Sequence, residues 1–206
     1  MSGRRRSPWL SETLRQELAD EAARLMAEHG IADFALAKRK AAERLRVRGG
    51  ALPSNGEIHE RLAERQRTFE PDAHNDRLSR LRSVAAHAMD LLAAFRPKLV
   101  GAVFDGTATQ SSAIELHVFC DSPEVVAGAL ESLGLRLRDA QRRYRFGRNE
   151  IELIPGFEVL LDDEELEVMV FPERGSGHAP LSPVDGKPMR RASRATVLAL
   201  VASTDP

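Results

Sequence analysis

Apolar positions in the first half of the chain recur at helical spacing. Leu14, Leu18, Ala22, Leu25 and Met26 lie on one stripe, with Ser11 placed to cap its start and Gly30 to stop it. Asp33 is placed to cap a second helix that turns Phe34, Ala37, Ala41 and Leu45 inward and most of its lysines and arginines outward, up to Gly49 and Gly50. Ser54 followed by Glu57 has the spacing of a capping box and opens a third helix, which Pro71 closes near Phe69. A fourth is predicted from about Asn75 to Phe95, carrying Leu78, Leu81, Ala85, Ala88 and Leu92 at helical intervals.

The period then changes. Leu99 to Phe104 is a short apolar run that suits a strand buried on both faces. Gly106 to Ser112 reads as a loop of small and hydroxyl residues. Ile114 to Phe119 alternates, with Ile114, Leu116 and Val118 on one side and Glu115, His117 and Phe119 on the other. Ser122 and Pro123 start a helix that ends at Gly134. An arginine-rich strand or ribbon follows over Leu135–Phe146, then a hairpin of Phe157–Leu161 and Leu166–Phe171 around Asp162, Asp163 and Glu164. Glu173 to Pro188 reads as a surface loop, and a short helix over Ser193–Val201 comes last. The expected organisation is an α/β (α+β) protein: a basic helical segment over 1–74, then residues 75–206 as a mixed β-sheet with flanking helices, a loop and a short terminal helix.

Charge sharpens that division. Residues 1–98 carry 19 basic and 14 acidic side chains, whereas 99–206 carry 11 and 17, so a net +5 half precedes a net −6 half. The whole chain is nearly neutral at −1, and global charge draws it neither to nucleic acid nor to an anionic membrane. One cysteine, Cys120, excludes an intrachain disulfide framework and fits a reducing, cytoplasmic setting. Arg4, Arg5 and Arg6 begin like a signal peptide, but no continuous apolar core follows, and no run approaches the roughly 18–20 apolar residues of a membrane span. The sequence contains no phosphate loop of the Gly-x₄-Gly-Lys-Ser/Thr type, no Gly-x-Ser-x-Gly elbow and no His-Glu-x-x-His motif. Ala22 to Ile31 resembles the first helix of repressors of the tetracycline-repressor type, but no short second helix and recognition helix can be placed after Gly30.

The stretch with the most chemistry is Leu99–Phe119: a predicted strand, the Gly106–Thr107 turn, a polar loop, then a strand bearing Glu115 and His117 on one face. It resembles the nucleotidyltransferase superfamily that includes polymerase beta and the minimal nucleotidyltransferases. Their signature is a glycine turn after one strand, an acid-x-acid pair on the next, and a third carboxylate from a later neighbouring strand. The likeness covers about residues 75–171, and the helical front and the tail Pro180–Arg190 also resemble bacterial nucleotidyltransferase-like proteins.

Residue by residue, the resemblance puts Gly106 and Thr107 at the turn that holds the nucleotide's phosphates. In one alignment Ala113 takes the first acid place and Glu115 the second; shifted by two, Glu115 is first and His117 second. Either way one carboxylate of the pair is absent. Glu167 is the candidate third acid, so Glu115 and Glu167 become the catalytic candidates, and Glu115, His117 and Glu167 the metal candidates. The implied ion is Mg²⁺ or Mn²⁺, which neutralises the charge that develops as a hydroxyl attacks the α-phosphate.

Arg136, Arg138, Arg142, Arg143, Arg145 and Arg148, with Tyr144 and Phe146 among them, suit a triphosphate or a nucleic-acid backbone, since each guanidinium donates to two oxygens at once. Arg143 and Arg145 are taken as the nucleotide-binding pair. The implied function is a nucleotidyltransferase-like protein with a degenerate active site, binding a nucleoside triphosphate with a divalent metal; if it is an enzyme, it is a metal-dependent nucleotidyltransferase. RNA or single-stranded DNA is the expected macromolecular partner. The alternative is a non-catalytic module, binding nucleic acid or another partner, that keeps only the fold.

Overall fold

The computed structural model describes residues 8–47, 52–68 and 71–203. They fall into two compact units, one drawn from Met1–Pro71 with Thr109–Ser111, the other from Asp72–Ala108 with Ser112–Pro206.

The first unit is built from α1 (Pro8–His29), α2 (Phe34–Arg44) and α3 (Asn55–Thr68). Because α1 starts at Pro8, Ser11 lies inside the helix rather than at its cap. Two local signals hold. Asp33 Oδ1 accepts from Leu36 N at 2.6 Å. Ser54 Oγ accepts from Glu57 N at 3.1 Å while Glu57 Oε2 accepts from Ser54 N at 2.7 Å, a reciprocal capping box. The core sets Leu18, Ala22, Leu25 and Met26 of α1 against Ala37 and Ala41 of α2 and Ile58 and Leu62 of α3. Small alanines at these contacts allow the three helices to approach closely. Leu45 leaves the helix as the C-cap of α2 and is exposed; Gly49, Gly50 and Phe69 lie outside the described residues. Pro71 opens α4 (Pro71–Leu91), since proline at a first helical turn forfeits no hydrogen bond. Helix α4 therefore starts before Asn75 and ends before Phe95, with a 3₁₀ turn over Ala93–Phe95.

The second unit carries a five-stranded mixed sheet in the order β1-β2-β5-β4-β3. Its strands are β1 (Lys98–Val100), β2 (Ile114–Phe119), β3 (Arg138–Arg145), β4 (Ile151–Leu161) and β5 (Glu164–Phe171). Strands β2 and β5 are parallel, and the other three pairings are antiparallel. The β4–β5 hairpin turns on Asp162 and Asp163, both with positive φ, as a two-residue turn matched to strand twist requires. Helices α5 (Gly101–Asp105), α6 (Pro123–Ser132) and α7 (Arg194–Ala202) complete the unit.

The predicted strand over Leu99–Phe104 is corrected. It is a three-residue strand followed at once by α5. Gly101, at φ +72°, turns the chain out of the sheet, and the Arg82 side chain of α4 donates to Val103 O at 3.2 Å and Phe104 O at 3.4 Å, satisfying carbonyls at the helix end. A six-residue apolar run fits a buried strand or a buried helical turn equally well, and tertiary partners decided it here.

The two faces of the sheet differ. Ile114, Leu116, Val118, Leu166, Val168 and Val170 pack with Leu81, Ala85 and Met89 of α4, Val126 and Leu130 of α6 and Val197 of α7 in the larger core. The opposite face holds a smaller cluster of Phe119, Tyr144, Ile154, Met169 and Phe171, with Phe146 and Met189 against it. That second face carries the candidate chemistry.

Candidate functional site

Alternation along β2 sends Glu115, His117 and Phe119 to the second face, and the parallel register places Glu115 beside Glu167, His117 beside Met169 and Phe119 beside Phe171. Glu115 and Glu167 are thus brought together, one strand spacing apart, about 4.8 Å. The structure then adds a group outside the expected set. Arg142 Nη1 donates to Glu115 Oε2 at 2.6 Å, and its Nη2 forms an ion pair with Glu167.

Arg142 lies on β3, three strands from β2 in the sheet order. Three inter-strand spacings of about 4.8 Å exceed the length of an arginine side chain, so the β3–β4 hairpin must curl over the second face. Gly156 on β4 marks the close approach: a Cβ there would sit 2.5 Å from Val168 O and 2.8 Å from Met169 Sδ. Gly101 plays the same part on the other side, since a Cβ there would lie 2.9 Å from Glu115 Oε1. The glycine turn that follows the first strand and flanks the acid is therefore Gly101.

The site is half-buried, with side-chain exposures of 38% for Arg142 and 23% for each glutamate. Burial alone works against the Arg142 charge, but Glu115, Tyr144 and Glu167 outweigh it and raise the guanidinium pKa above its usual value. Burial pushes the Glu167 carboxyl up, against the pull of Arg142 and with help from Glu115, Glu158 and Glu165.

His117 is fully buried at 0% exposure and both ring nitrogens are engaged. Its Nδ1 accepts from Arg191 Nε at 3.2 Å, which leaves the proton on Nε2, 3.2 Å from the Tyr144 hydroxyl. Burial, then the Arg191 and Arg142 charges, drive the imidazole pKa well below the ordinary value, so the ring is neutral. Arg142 and Tyr144 lie two residues apart on the inward face of β3. Two polar groups thus lie side by side on this face: Arg142 with the two glutamates, and Tyr144 with His117 and Arg191. Arg191 ends the second by donating to Gly175 O at 2.9 Å, with its guanidinium 5.0 Å from the Phe119 and Phe171 ring centres.

The residues expected to hold a nucleotide are placed elsewhere. The amides of Gly106 and Thr107 both donate to Ala102 O at 2.9 Å; Gly106, at φ +82°, is the C-cap of α5, and Thr107 is buried. Those amides close a helix and are not free to hold a phosphate. Alternation along β3 buries Tyr144 and turns Arg143 and Arg145 outward, away from the acid pair. There they pair in register with Leu153 and Ile151, exposed at 57% and 64%. Arg143 and Arg145 form no ion pair among the described residues.

These donors do not suit a divalent metal. The carboxylates of Glu115 and Glu167 are paired with Arg142, neither nitrogen of His117 is free, and Ala113 brings no ligand. No group of three or more His, Cys, Asp or Glu side chains stands ready to hold a metal among the described residues. No helix among them is long and apolar enough to cross a membrane.

No family model and no curated protein matches the chain. Among solved structures it is similar to Cid1 in complex with its short product ApU, at 16% identity and a TM-score of 0.36, over 54% of this chain and 37% of that one. A second likeness, to Cid1 in complex with the UTP analogue UMPNPP, has 13% identity and a TM-score of 0.36, over 68% of this chain and 41% of that one. The chain thus spans about two fifths of the length of the proteins it resembles.

Gly101 was not among the expected site positions, and Arg142 was grouped there with the phosphate-binding arginines rather than with the acid pair. One signal was there. Strict alternation over Ala140–Phe146 separates Arg142, Tyr144 and Phe146 from Arg143 and Arg145, and so singles out one arginine facing the aromatic side.

Proposed function

We propose that the protein is a nucleotidyltransferase-like module that binds a phosphate-bearing ligand, a nucleotide or a nucleic-acid backbone, without transferring a nucleotidyl group. The observation that carries this reading is how β3 divides its arginines: Arg142 is spent on the acid pair, while Arg143 and Arg145 project side by side from an exposed face. Two guanidiniums on one strand face that form no ion pair among the described residues suit phosphate oxygens, each donating a planar fork. The single Cys120 is in keeping with a cytoplasmic setting for this role.

The test is anisotropy of labelled single-stranded RNA and DNA across a salt series, with nucleoside triphosphates as competitors. Binding should weaken steeply with salt, and Arg143→Ala with Arg145→Ala should flatten the log–log slope by about 1.4, or about 0.7 per lost contact. Absence of binding at low salt, or an unchanged slope in the double variant, rejects the reading.

A second reading, metal-dependent transfer from a nucleoside triphosphate, is favoured by one specific feature: the register that sets Glu115 beside Glu167 on adjacent parallel strands, with Gly101 against Glu115. It requires the two glutamates to exchange Arg142 for Mg²⁺ or Mn²⁺, against the pairing they have in this structure. Transfer of a labelled α-phosphate to an RNA or protein hydroxyl, abolished by Glu115→Gln, would establish it in place of the first.

A further inference from the structure

We propose that the Arg142 guanidinium is the resident cation of the Glu115–Glu167 pair and keeps that pair closed to divalent metal ions. The inference concerns the inward arginine of β3 and stands apart from the phosphate reading of the outward ones.

Three observations carry it. Each carboxylate has its own arm of the guanidinium, Nη1 to Glu115 and Nη2 to Glu167, so both acids are satisfied by one planar group. Two carboxylates one strand apart repel each other unless a positive charge lies between them, and an arginine supplies one at every pH the fold survives. Finally, no group of three or more His, Cys, Asp or Glu side chains able to hold a metal occurs among the described residues: His117 is fixed from both sides by Arg191 and Tyr144, Glu158, in register with Glu167, is paired with Arg138 at 3.2 Å, and Glu165 lies two residues along β5.

A metal ion entering here must therefore displace a cation tethered to the same chain. Such a tethered group competes at a high effective concentration and without the entropy cost of a free ligand. The metal in turn would find the two carboxylates without a third His, Cys, Asp or Glu side chain grouped with them among the described residues, and water would have to complete its shell.

The arginine is built in rather than incidental. It shares the inward face of β3 with Tyr144, which lies against His117 and Phe171 with ring centres 5.3 and 5.2 Å away. Its backbone is held where the β3–β4 hairpin presses on β5 at Gly156. Moving Arg142 off the acids would leave two half-buried carboxylates facing each other and would disturb a packed aromatic cluster.

Mn²⁺ binding to the full chain, followed by the electron paramagnetic resonance signal of the free ion, tests the proposal. The wild type should bind no more Mn²⁺ than its Glu115→Gln and Glu167→Gln variants. Arg142→Gln, a shorter amide that carries no charge and no fork, should bind Mn²⁺ about tenfold or more tightly than the wild type. That gain should vanish when Glu115→Gln or Glu167→Gln is added, and Arg142→Lys, which keeps a charge but not the fork, should fall between the wild type and Arg142→Gln. The proposal is overturned if the wild type binds Mn²⁺ in a manner that either glutamine variant abolishes, or if folded Arg142→Gln gains nothing. Should Arg142→Gln fail to fold, as read by circular dichroism, the comparison of wild type with the two glutamate variants still decides. Arg143 and Arg145 take no part, so failure here leaves the salt-series result standing.

Discussion

Replacing Gly156 by alanine adds one methyl group where β4 lies closest to β5, and the structure specifies what that methyl meets. Its nearest neighbours would be Val168 O at 2.5 Å, Met169 Sδ at 2.8 Å and Met169 Cε at 2.9 Å. The methionine end is flexible and can swing aside. The carbonyl cannot: Val168 is fully buried in the middle of β5, between β2 and β4. Contacts to carbon are comfortable at about 3.5 Å, so the strands must separate by most of an ångström. Overpacking of this kind costs about 1–3 kcal/mol, and a rigid backbone neighbour puts this case at the upper end. Opposing it, alanine in place of glycine restricts the unfolded chain and stabilises by about 0.4–1 kcal/mol wherever the backbone conformation allows. Gly156 is not among the positive-φ glycines, so that gain applies. The net expectation is a loss of about 2 kcal/mol. Urea unfolding followed by circular dichroism should show a lower midpoint at an unchanged slope. Stability equal to or above that of the wild type would mean that the hairpin does not press on β5 at Gly156, and the account of how Arg142 reaches the acid pair would fall with it.

Two further predictions concern the second face and its surroundings. His117 is held below its ordinary pKa first by burial and then by Arg191 and Arg142, and His74 is lowered chiefly by burial. Because the unfolded chain takes up these protons more readily, the second unit should keep full stability above about pH 6.5 and lose it as pH falls, by up to about 1.4 kcal/mol per pH unit from His117, with His74 acting in the same direction but less. Urea midpoints at pH 7.5, 6.0 and 5.0 should show this, with a shallower dependence in His117→Gln; an identical dependence there refutes the assignment. Arg191, lowered by burial to about 10, is still charged at neutral pH and fastens the segment after β5 through His117 Nδ1 and Gly175 O. Arg191→Met should therefore speed limited proteolysis within residues 173–190 while leaving α6 protected, and an unchanged cleavage rate would show that the segment is held by other contacts.

Local rules were enough for part of this protein. Asp33 and the Ser54–Glu57 pair announced their helix starts because a cap acts over three residues. The alternation of β2 told which side Glu115 and His117 share, because side-chain direction in a strand follows residue parity alone. The helical front and the β4–β5 hairpin were legible on the same footing, while the mixed sheet was expected from the family resemblance. What sequence left open depended on neighbours distant along the chain. Leu99–Phe104 could be strand or helix until Arg82, from α4, closed the end of α5, and with that Gly101 rather than Gly106 became the turn beside the acid. Which of the clustered arginines would meet Glu115 and Glu167 was set by the β3–β4 register and by the curl of that hairpin over the sheet at Gly156. A one-residue change of register would exchange Arg142 for Arg143, while composition and local pattern stayed the same. The acid pair was therefore written in the sequence, and the cation that lies across it was chosen by tertiary packing.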